Sequence, residues 1–202
     1  ELSGKQVRVI SETEGKALAE ERAREVAVFR GGKLIAGPEK PPDLIVVVAD
    51  GGRIQTRQPD EEQEGGVWKE DKVGAVYEAS PRKDPEAGDA DKYEGARAGM
   101  KTFAASLTDW DEFGWMLCVE AMRRGYAKAK EKLFISDGAQ SLRTLRQDHF
   151  NDAVFILDWY HAVEHLSGCA KAAFGEATDE CAGWYKRMKA KLWAGDLDAV
   201  IR

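Results

Sequence analysis

Two aspartates at the ends of apolar stretches are the residues best suited by type and spacing to do chemistry. Asp50 follows the run Leu44–Ala49, Asp137 follows Leu133–Ser136, and each is followed by glycine. If the two runs are neighbouring parallel strands, both carboxylates lie in one crevice at the strand ends. Carboxylates suit hard cations such as Mg²⁺, and two ions about 4 Å apart stabilise the attacking and leaving oxygens of a displacement at phosphorus. The alternative is that each Asp-Gly pair only forms a turn.

A second group of candidate side chains lies in the stretch Asp158–His165. Asp158, His161 and His165 are three and four residues apart, so a helix places them on one side. They could order a catalytic loop or contact a ligand; alternatively, Asp158 caps the helix and the histidines are partly buried. The same stretch matches the H-x-x-E-H zinc-peptidase pattern, in which His161 and His165 bind zinc and Glu164 is the general base. The candidates for a third zinc ligand are Glu176 and Glu180.

Four basic residues follow the first aspartate or open the next predicted strand, with Trp68 beside them. Side chains that contact phosphate near a two-metal site have this composition. The alternative is a solvated strand end without a ligand. The four residues are Arg53, Arg57, Lys69 and Lys72.

The apolar periodicity that must position these residues predicts an α/β chain. A meander of three strands is followed by alternating helices and strands, which implies a mixed sheet with helices on its faces. The continuously apolar, β-branched run Leu44–Ala49 predicts a strand in the middle of that sheet. A loop is expected over Pro81–Gly99. The predicted strands are Leu44–Ala49, Val67–Ser80, Lys101–Leu107, Lys132–Ser136 and Ala153–Leu157.

The composition limits the class of protein. The chain has 202 residues, of which 43% are hydrophobic and six are Trp, enough for one large domain with a sizeable core. No apolar run approaches the roughly 18 residues of a membrane span. A net charge of −6 argues mildly against strong nucleic-acid binding. Three cysteines without a close pair favour a reduced, cytosolic compartment.

Four motifs occur in order along the chain. They are VADGGRIQTR at 48–57, WKEDKVG at 68–74, ISDGA at 135–139 and FILDWYHAVEHL at 155–166. Together they resemble the DDE group of bacterial insertion-sequence transposases, in the mutator-like branch and its Kra-type relatives. The last motif is the most specific of the four.

This resemblance implies an RNase H-like fold, with a mixed five-stranded sheet flanked by helices. It also implies three acidic residues that hold two Mg²⁺ or Mn²⁺ ions. Asp50 matches the first acid and Asp137 the second. Asp158 with His161 matches the Asp/Cys-x-x-His motif of this branch.

The third acid of the family is a glutamate in a Gly-Ser-Gly-x-x-Glu context, which does not occur before Arg202. We therefore expect this chain to be the core piece of a longer transposase and to be inactive by itself. Residues 1–32 are expected to be a helical segment that ends a DNA-binding region. Residues 33–175 are expected to be the catalytic core, and 176–202 the start of a C-terminal helical insertion.

The function implied is metal-dependent DNA cleavage and strand transfer in the bacterial cytoplasm, in association with the nucleoid. Water attacks a phosphodiester at the element's end, and the freed 3′-hydroxyl attacks target DNA. The expected partners are double-stranded DNA, both element ends and target, and further copies of the protein assembled on it; no membrane is expected. The alternatives are an RNase H-like nuclease, a non-catalytic DNA-binding scaffold, and a zinc hydrolase.

Overall fold

The computed structural model describes residues 2–60, 63–81 and 96–201, without the side chains of 57–60, 63–66 and 81. Most of the loop predicted over Pro81–Gly99 lies outside the described residues. The chain divides into two compact units, residues 1–156 and 157–202. Among the described residues, no helix is both long and apolar enough to cross a membrane.

Among its described residues, the first unit contains three α-helices, a short 3₁₀ turn (Tyr126–Lys128) and six strands, the last of which ends one residue past the unit boundary. The helices are α1 (Gly4–Arg30), α2 (Trp110–Arg123) and α3 (Gln140–His149). The strands are β1 (Leu44–Asp60), β2 (Gln63–Pro81), β3 (Ala96–Ala98), β4 (Thr102–Ser106), β5 (Glu131–Ser136) and β6 (Val154–Leu157). The second unit contains α4 (Trp159–Phe174), α5 (Asp179–Trp193) and α6 (Leu197–Ile201).

The strands form one mixed sheet, in the order β3-β2-β1-β5-β6, with β4 also pairing with β2. β2 is antiparallel to β1, and β5 is parallel to β1. The short strand β3 pairs with the end of β2 and β4 pairs with its middle, so both lie along the same edge of β2. The five predicted strands are all present, β3 is additional, and the arrangement is consistent with the RNase H-like fold predicted from the sequence.

Strand alternation determines which side of β1 builds the core. Ile45, Val47 and Ala49 are fully buried and pack in one cluster with Phe113 and Leu117 of α2. α3 contributes Leu142 and Leu145 to the same cluster, as its apolar spacing predicts. Since side chains alternate along a strand, Val46, Val48 and Asp50 lie on the other face of the sheet. The core side of β1 is therefore its odd-numbered side.

α1 is held to α2 by charge as well as by packing. Its N-terminus is fixed by a capping box, in which Ser3 and Gln6 exchange hydrogen bonds. Val26 is the buried apolar residue of the helix. Glu120 of α2 is 4% exposed and pairs with Arg22 of α1 at 3.5 Å and with Arg123 at 3.4 Å. One of the two arginines that balance the charge of the buried Glu120 carboxylate therefore comes from α1.

The second unit is a set of helices that begins at Asp158. Asp158 caps α4 by accepting a hydrogen bond from the Tyr160 backbone N–H at 2.7 Å, as predicted for the start of this helix. α4 and α5 pack together, and the rings of Trp159 and Trp193 meet edge to face at 5.0 Å. Thr178 caps α5 in the same way, through the Cys181 N–H.

Replacing Glu120 with Ala should lower the free energy of unfolding by about 3 kcal/mol, because two arginines lose the buried carboxylate that they share. The matched control is Glu112→Ala on the same helix, whose carboxylate is half exposed and lies 4.0 Å from Arg30 of α1. That change should cost less than about 0.5 kcal/mol. Urea denaturation of both variants measures the difference. If both lose the same free energy of unfolding, burial of the Glu120 ion pairs adds nothing to stability.

Asp152 gives the fold a defined acid sensitivity. Its carboxylate accepts hydrogen bonds from Tyr126 Oη and Lys132 Nζ, both at 2.6 Å. Burial alone would raise the pKa of Asp152, but the hydrogen bonds from Lys132 and Tyr126 outweigh it and hold that pKa below its ordinary value. Because the pKa of Asp152 is lower in the folded state, its contribution to the free energy of unfolding is complete above the unfolded pKa of about 3.9. That contribution is lost as pH falls through the folded pKa.

Asp152→Asn should therefore destabilise the protein by about 1 kcal/mol at neutral pH, a modest figure because the carboxylate is half exposed. The gap between wild type and variant should close as pH falls below about 4. Denaturation series at several pH values measure it, with exposed Glu131→Gln on the neighbouring strand as the control. A gap that is constant with pH would contradict the role assigned to Asp152.

Candidate active site

The parallel register between β1 and β5 brings the two predicted acids level with each other. Val46 is opposite Leu133 and Val48 is opposite Ile135, where the ladder ends. Two residues further on, Asp50 is still within β1 and Asp137 is the first residue after β5, so continuing the same register puts them at the same level. Neighbouring strands lie about 4.8 Å apart, so the two backbones are adjacent at this level. The structure therefore meets the condition, set by the sequence, that the two acid-bearing strands be parallel neighbours.

The prediction that the chain leaves the sheet at Asp50 is wrong. β1 continues to Asp60, and Asp50 is opposite Val73 of β2 within an unbroken antiparallel ladder. What ends at Asp50 is burial, because Ala49 is fully buried and Asp50 is exposed. The glycines that suggested a turn serve close packing instead. A Cβ on Gly51 would lie 3.1 Å from the Trp110 ring, and one on Gly52 would lie 2.8 Å from Asp71 Oδ1.

Asp137, in contrast, does end its strand in the predicted turn. β5 stops at Ser136, and Gly138 has a φ of +80°, a conformation that favours glycine. Asp137 Oδ1 accepts a hydrogen bond from the Ala139 backbone N–H at 2.8 Å. This bond to the backbone two residues ahead is the Asx-turn that aspartate commonly forms, and it fixes the carboxylate at the start of α3.

A cleft of about 540 Å³ opens beside Asp137 on the α2 side of the sheet. Asp50 does not line it, since strand alternation directs the Asp50 side chain to the opposite face of β1. Asp137 therefore lines this cleft and Asp50 does not, although the sequence predicted that both carboxylates lie in one crevice. The residues that line the cleft are Gly51, Gly52, Arg53, Glu70, Trp110, Asp137, Ala139, Ser141 and Leu142.

Glu70 and Trp110 belong to this cleft, and the sequence did not single them out. Glu70 accepts hydrogen bonds from Lys72 Nζ at 3.0 Å and from Trp110 Nε1 at 3.3 Å. Lys72 Nζ also lies 5.2 Å from the centre of the Trp110 ring. The hydrogen bond from Lys72 is the main cause that holds the pKa of Glu70 below its ordinary value; Trp110 and Arg53 add to it. Glu70 is therefore a charged carboxylate that faces the cleft.

The four basic residues predicted to contact DNA have different surroundings. Lys72 is 3% exposed and engaged with Glu70, so its ammonium group is not displayed at the surface. Arg53 lines the cleft, and Lys69 is exposed on the opposite face of the hairpin. Arg57 lies within β1, and its side chain is outside the described part of the chain.

The histidine-containing motif lies in the second unit. Asp158 acts as the helix cap, and His161 Nδ1 lies 3.9 Å from Glu164 Oε2, one turn away on α4. Glu176, a candidate third zinc ligand, pairs with Lys171 at 2.8 Å. Among the residues that the structure describes, no three His, Cys, Asp or Glu side chains are grouped so that they could hold a metal ion. The zinc alternative therefore lacks a third ligand within this part of the chain.

Removing the Lys72 ammonium group should raise the pKa of Glu70 towards its ordinary value, because the largest stabilising contact of the ionised carboxylate is lost. The change to make is Lys72→Met, which keeps an unbranched apolar chain in the buried position. Carbon-detected NMR titration of the Glu70 carboxyl group measures the effect. Trp110→Phe is the control and should raise the pKa less, and an unchanged pKa in Lys72→Met would contradict the pairing.

Comparison of the chain with protein-family models, with curated proteins and with solved structures gives no match. The resemblance to DDE transposases therefore rests on the four sequence motifs, and the activity that it implies is a proposal.

Proposed function

We propose that this chain is the core of a DDE-type transposase that cuts and joins DNA strands with the help of two divalent cations. One observation supports the proposal: in a sheet consistent with an RNase H-like fold, Asp50 and Asp137 each come two residues after the last pair of the parallel β1–β5 ladder. Two acids on adjacent central strands, where the buried part of β1 and the whole of β5 end, are the starting arrangement for a metal site at the carboxyl ends of a sheet.

The donor set fits hard cations in part. Asp50 and Asp137 offer carboxylate oxygens, which are the ligands that Mg²⁺ and Mn²⁺ accept, and Mg²⁺ keeps several positions for water and substrate oxygens. When bound, two such ions would activate the attacking oxygen and stabilise the leaving oxygen of the phosphodiester. The chain has no Gly-Ser-Gly-x-x-Glu motif, the context in which the family carries its third acid.

The residues of the chain would perform distinct tasks around DNA. Asp137 is oriented by its hydrogen bond from the Ala139 N–H, so its carboxylate is held in the cleft before a ligand arrives. Arg53 brings a positive charge to the same cleft, where it would contact a phosphate. The ion pair with Lys72 neutralises Glu70, which would limit the repulsion between that carboxylate and the DNA backbone. The proposed partners are double-stranded DNA and further copies of the protein assembled on it.

Replacing Asp50 or Asp137 with Ala should abolish strand transfer by the protein that carries this chain, and leave the fold intact. Both residues lie outside the apolar core, so thermal unfolding should change little. The measurement is the yield of joined DNA products in the presence of Mn²⁺. Wild-type yield from either variant would exclude that residue from the reaction.

Asp43→Ala is the matched control, because Asp43 precedes the opposite end of β1 and pairs with Lys130 at 2.6 Å. This variant should transfer strands as the wild type does. Simple cleavage products without joined ones would favour the RNase H-like nuclease instead.

A second candidate function, DNA binding without chemistry, is favoured by the absence of a group of three metal-ligating side chains among the described residues. Calorimetric titration of this chain with Mn²⁺ separates the two candidates. Binding that is lost in both Asp50→Ala and Asp137→Ala supports the transposase core, and no binding that depends on them supports the scaffold.

A further inference from the structure

The first two strands extend beyond the rest of the sheet as a two-stranded arm. β5 pairs with β1 only over Leu44–Val48, and β4 pairs with β2 only over Lys72–Val76. Beyond these ladders, Gly52–Asp60 of β1 and Gln63–Asp71 of β2 pair with each other in the described structure, with register shifts after Gln55 and after Pro59. We call this segment the hairpin arm. At about 3.4 Å per residue it is roughly 30 Å long. No further strand among the described residues pairs with either of its edges.

One face of the hairpin arm continues into the cleft. Arg53 is opposite Glu70, and Gln55 is opposite Trp68, so these four side chains lie on the same side of the ladder. This is the α2 side, since Glu70 bonds Trp110 and Arg53 lines the cleft that contains Asp137. We call the four residues the cleft face of the arm. The opposite face carries Ile54, Lys69 and Asp71.

Two acidic side chains near the base of the arm, Glu70 and Asp71, lie against other residues; those of Asp60 and Glu64 are outside the described side chains. Glu70 is held by Lys72 and Trp110, and Asp71 packs over Gly52 with its Oδ1 atom out of contact with solvent. Further along the cleft face, Trp68 is 62% exposed. The cleft face therefore displays a tryptophan between hydrogen-bonding side chains, while its one carboxylate is already neutralised.

We propose that the cleft face of the hairpin arm binds duplex DNA by entering the major groove. The groove is about 12 Å wide and admits a two-stranded β-ribbon. Arginine and glutamine are side chains that read base edges there, and a tryptophan supplies apolar contact with the bases. Because Arg53 belongs both to the arm and to the cleft, DNA held by the arm leads directly to Asp137. The choice of DNA as the partner rests on the proposed function.

A second copy of the chain fits this face less well. The core of an interface between copies is rich in apolar side chains and poor in charged ones. Of the four residues of the cleft face, only Trp68 is apolar, and it is flanked by Arg53, Gln55 and Glu70. This composition suits the polar, charged surface of a nucleic acid.

The test is binding of the 202-residue chain to a labelled duplex, followed by fluorescence anisotropy in EDTA so that no metal chemistry contributes. Trp68→Ala and Arg53→Ala should each weaken binding by at least about fivefold. Arg53→Ala should also reduce the dependence of affinity on salt by about one counterion. Trp68→Phe, which keeps an aromatic ring, should retain most of the affinity. Ile54→Ala is the matched control on the opposite face, 44% exposed, and should stay within about twofold of the wild type.

Three outcomes would overturn the proposal: no binding by the wild type, wild-type affinity in Trp68→Ala, or equal losses in Ile54→Ala and Trp68→Ala. A dimer that dissociates in Trp68→Ala with unchanged DNA affinity would assign the face to a second copy. A failure of the proposed function would be distinguishable from a failure of this proposal, because strand transfer depends on Asp50 and Asp137 whereas binding in EDTA does not.

Discussion

The parallel ladder between β1 and β5 is the interaction on which the rest of the structure depends. Over five residues it joins a strand that is buried on its core side to one whose Phe134 is fully buried. The same register that packs these side chains against α2 and α3 also sets the level at which Asp50 and Asp137 lie. A slip of one residue would turn the buried side of β1 to the other face of the sheet and separate the two acids at once. Core packing and the candidate site are therefore specified by one set of hydrogen bonds.

The candidate site is built from two elements of different character. One is the long hairpin of β1 and β2, which carries Asp50, Arg53 and Glu70 on a continuous ladder. The other is the tight turn between β5 and α3, which carries Asp137. Between them, Trp110 closes the cleft from the start of α2, because Gly51 of β1 leaves room for its ring. Charge is arranged so that Lys72, although buried, is compensated by Glu70 and by the Trp110 ring.

Much of this arrangement could be predicted from local sequence signals. The apolar, β-branched runs predicted the strands, Asp158 predicted the start of α4, and the mixed sheet followed from the order of helices and strands along the chain. Other features depend on residues distant in the chain. Gly51 and Gly52 have the composition of a turn, and only the presence of Trp110 and Asp71 against them shows why β1 continues. Burial of Lys72 also depends on Trp110, and no local sequence signal predicted that this ring lies against it. The recruitment of Glu70 to the cleft could have been inferred from its i, i+2 spacing to Lys72 on one strand.

Because β1 continues through Asp50, the backbone at Asp50 is held more firmly than the backbone at Asp137. The backbone at Asp50 belongs to an extended ladder, so displacing it would require breaking pairs with β2 on both sides of the residue. Asp137 stands at the head of a turn whose conformation depends on Gly138 and on hydrogen bonds made by the side chains of Ser136, Asp137 and Arg143. Any adjustment of distance between the two carboxylates as a ligand enters would therefore be made by the β5–α3 turn, with β1 acting as the fixed reference against which it moves.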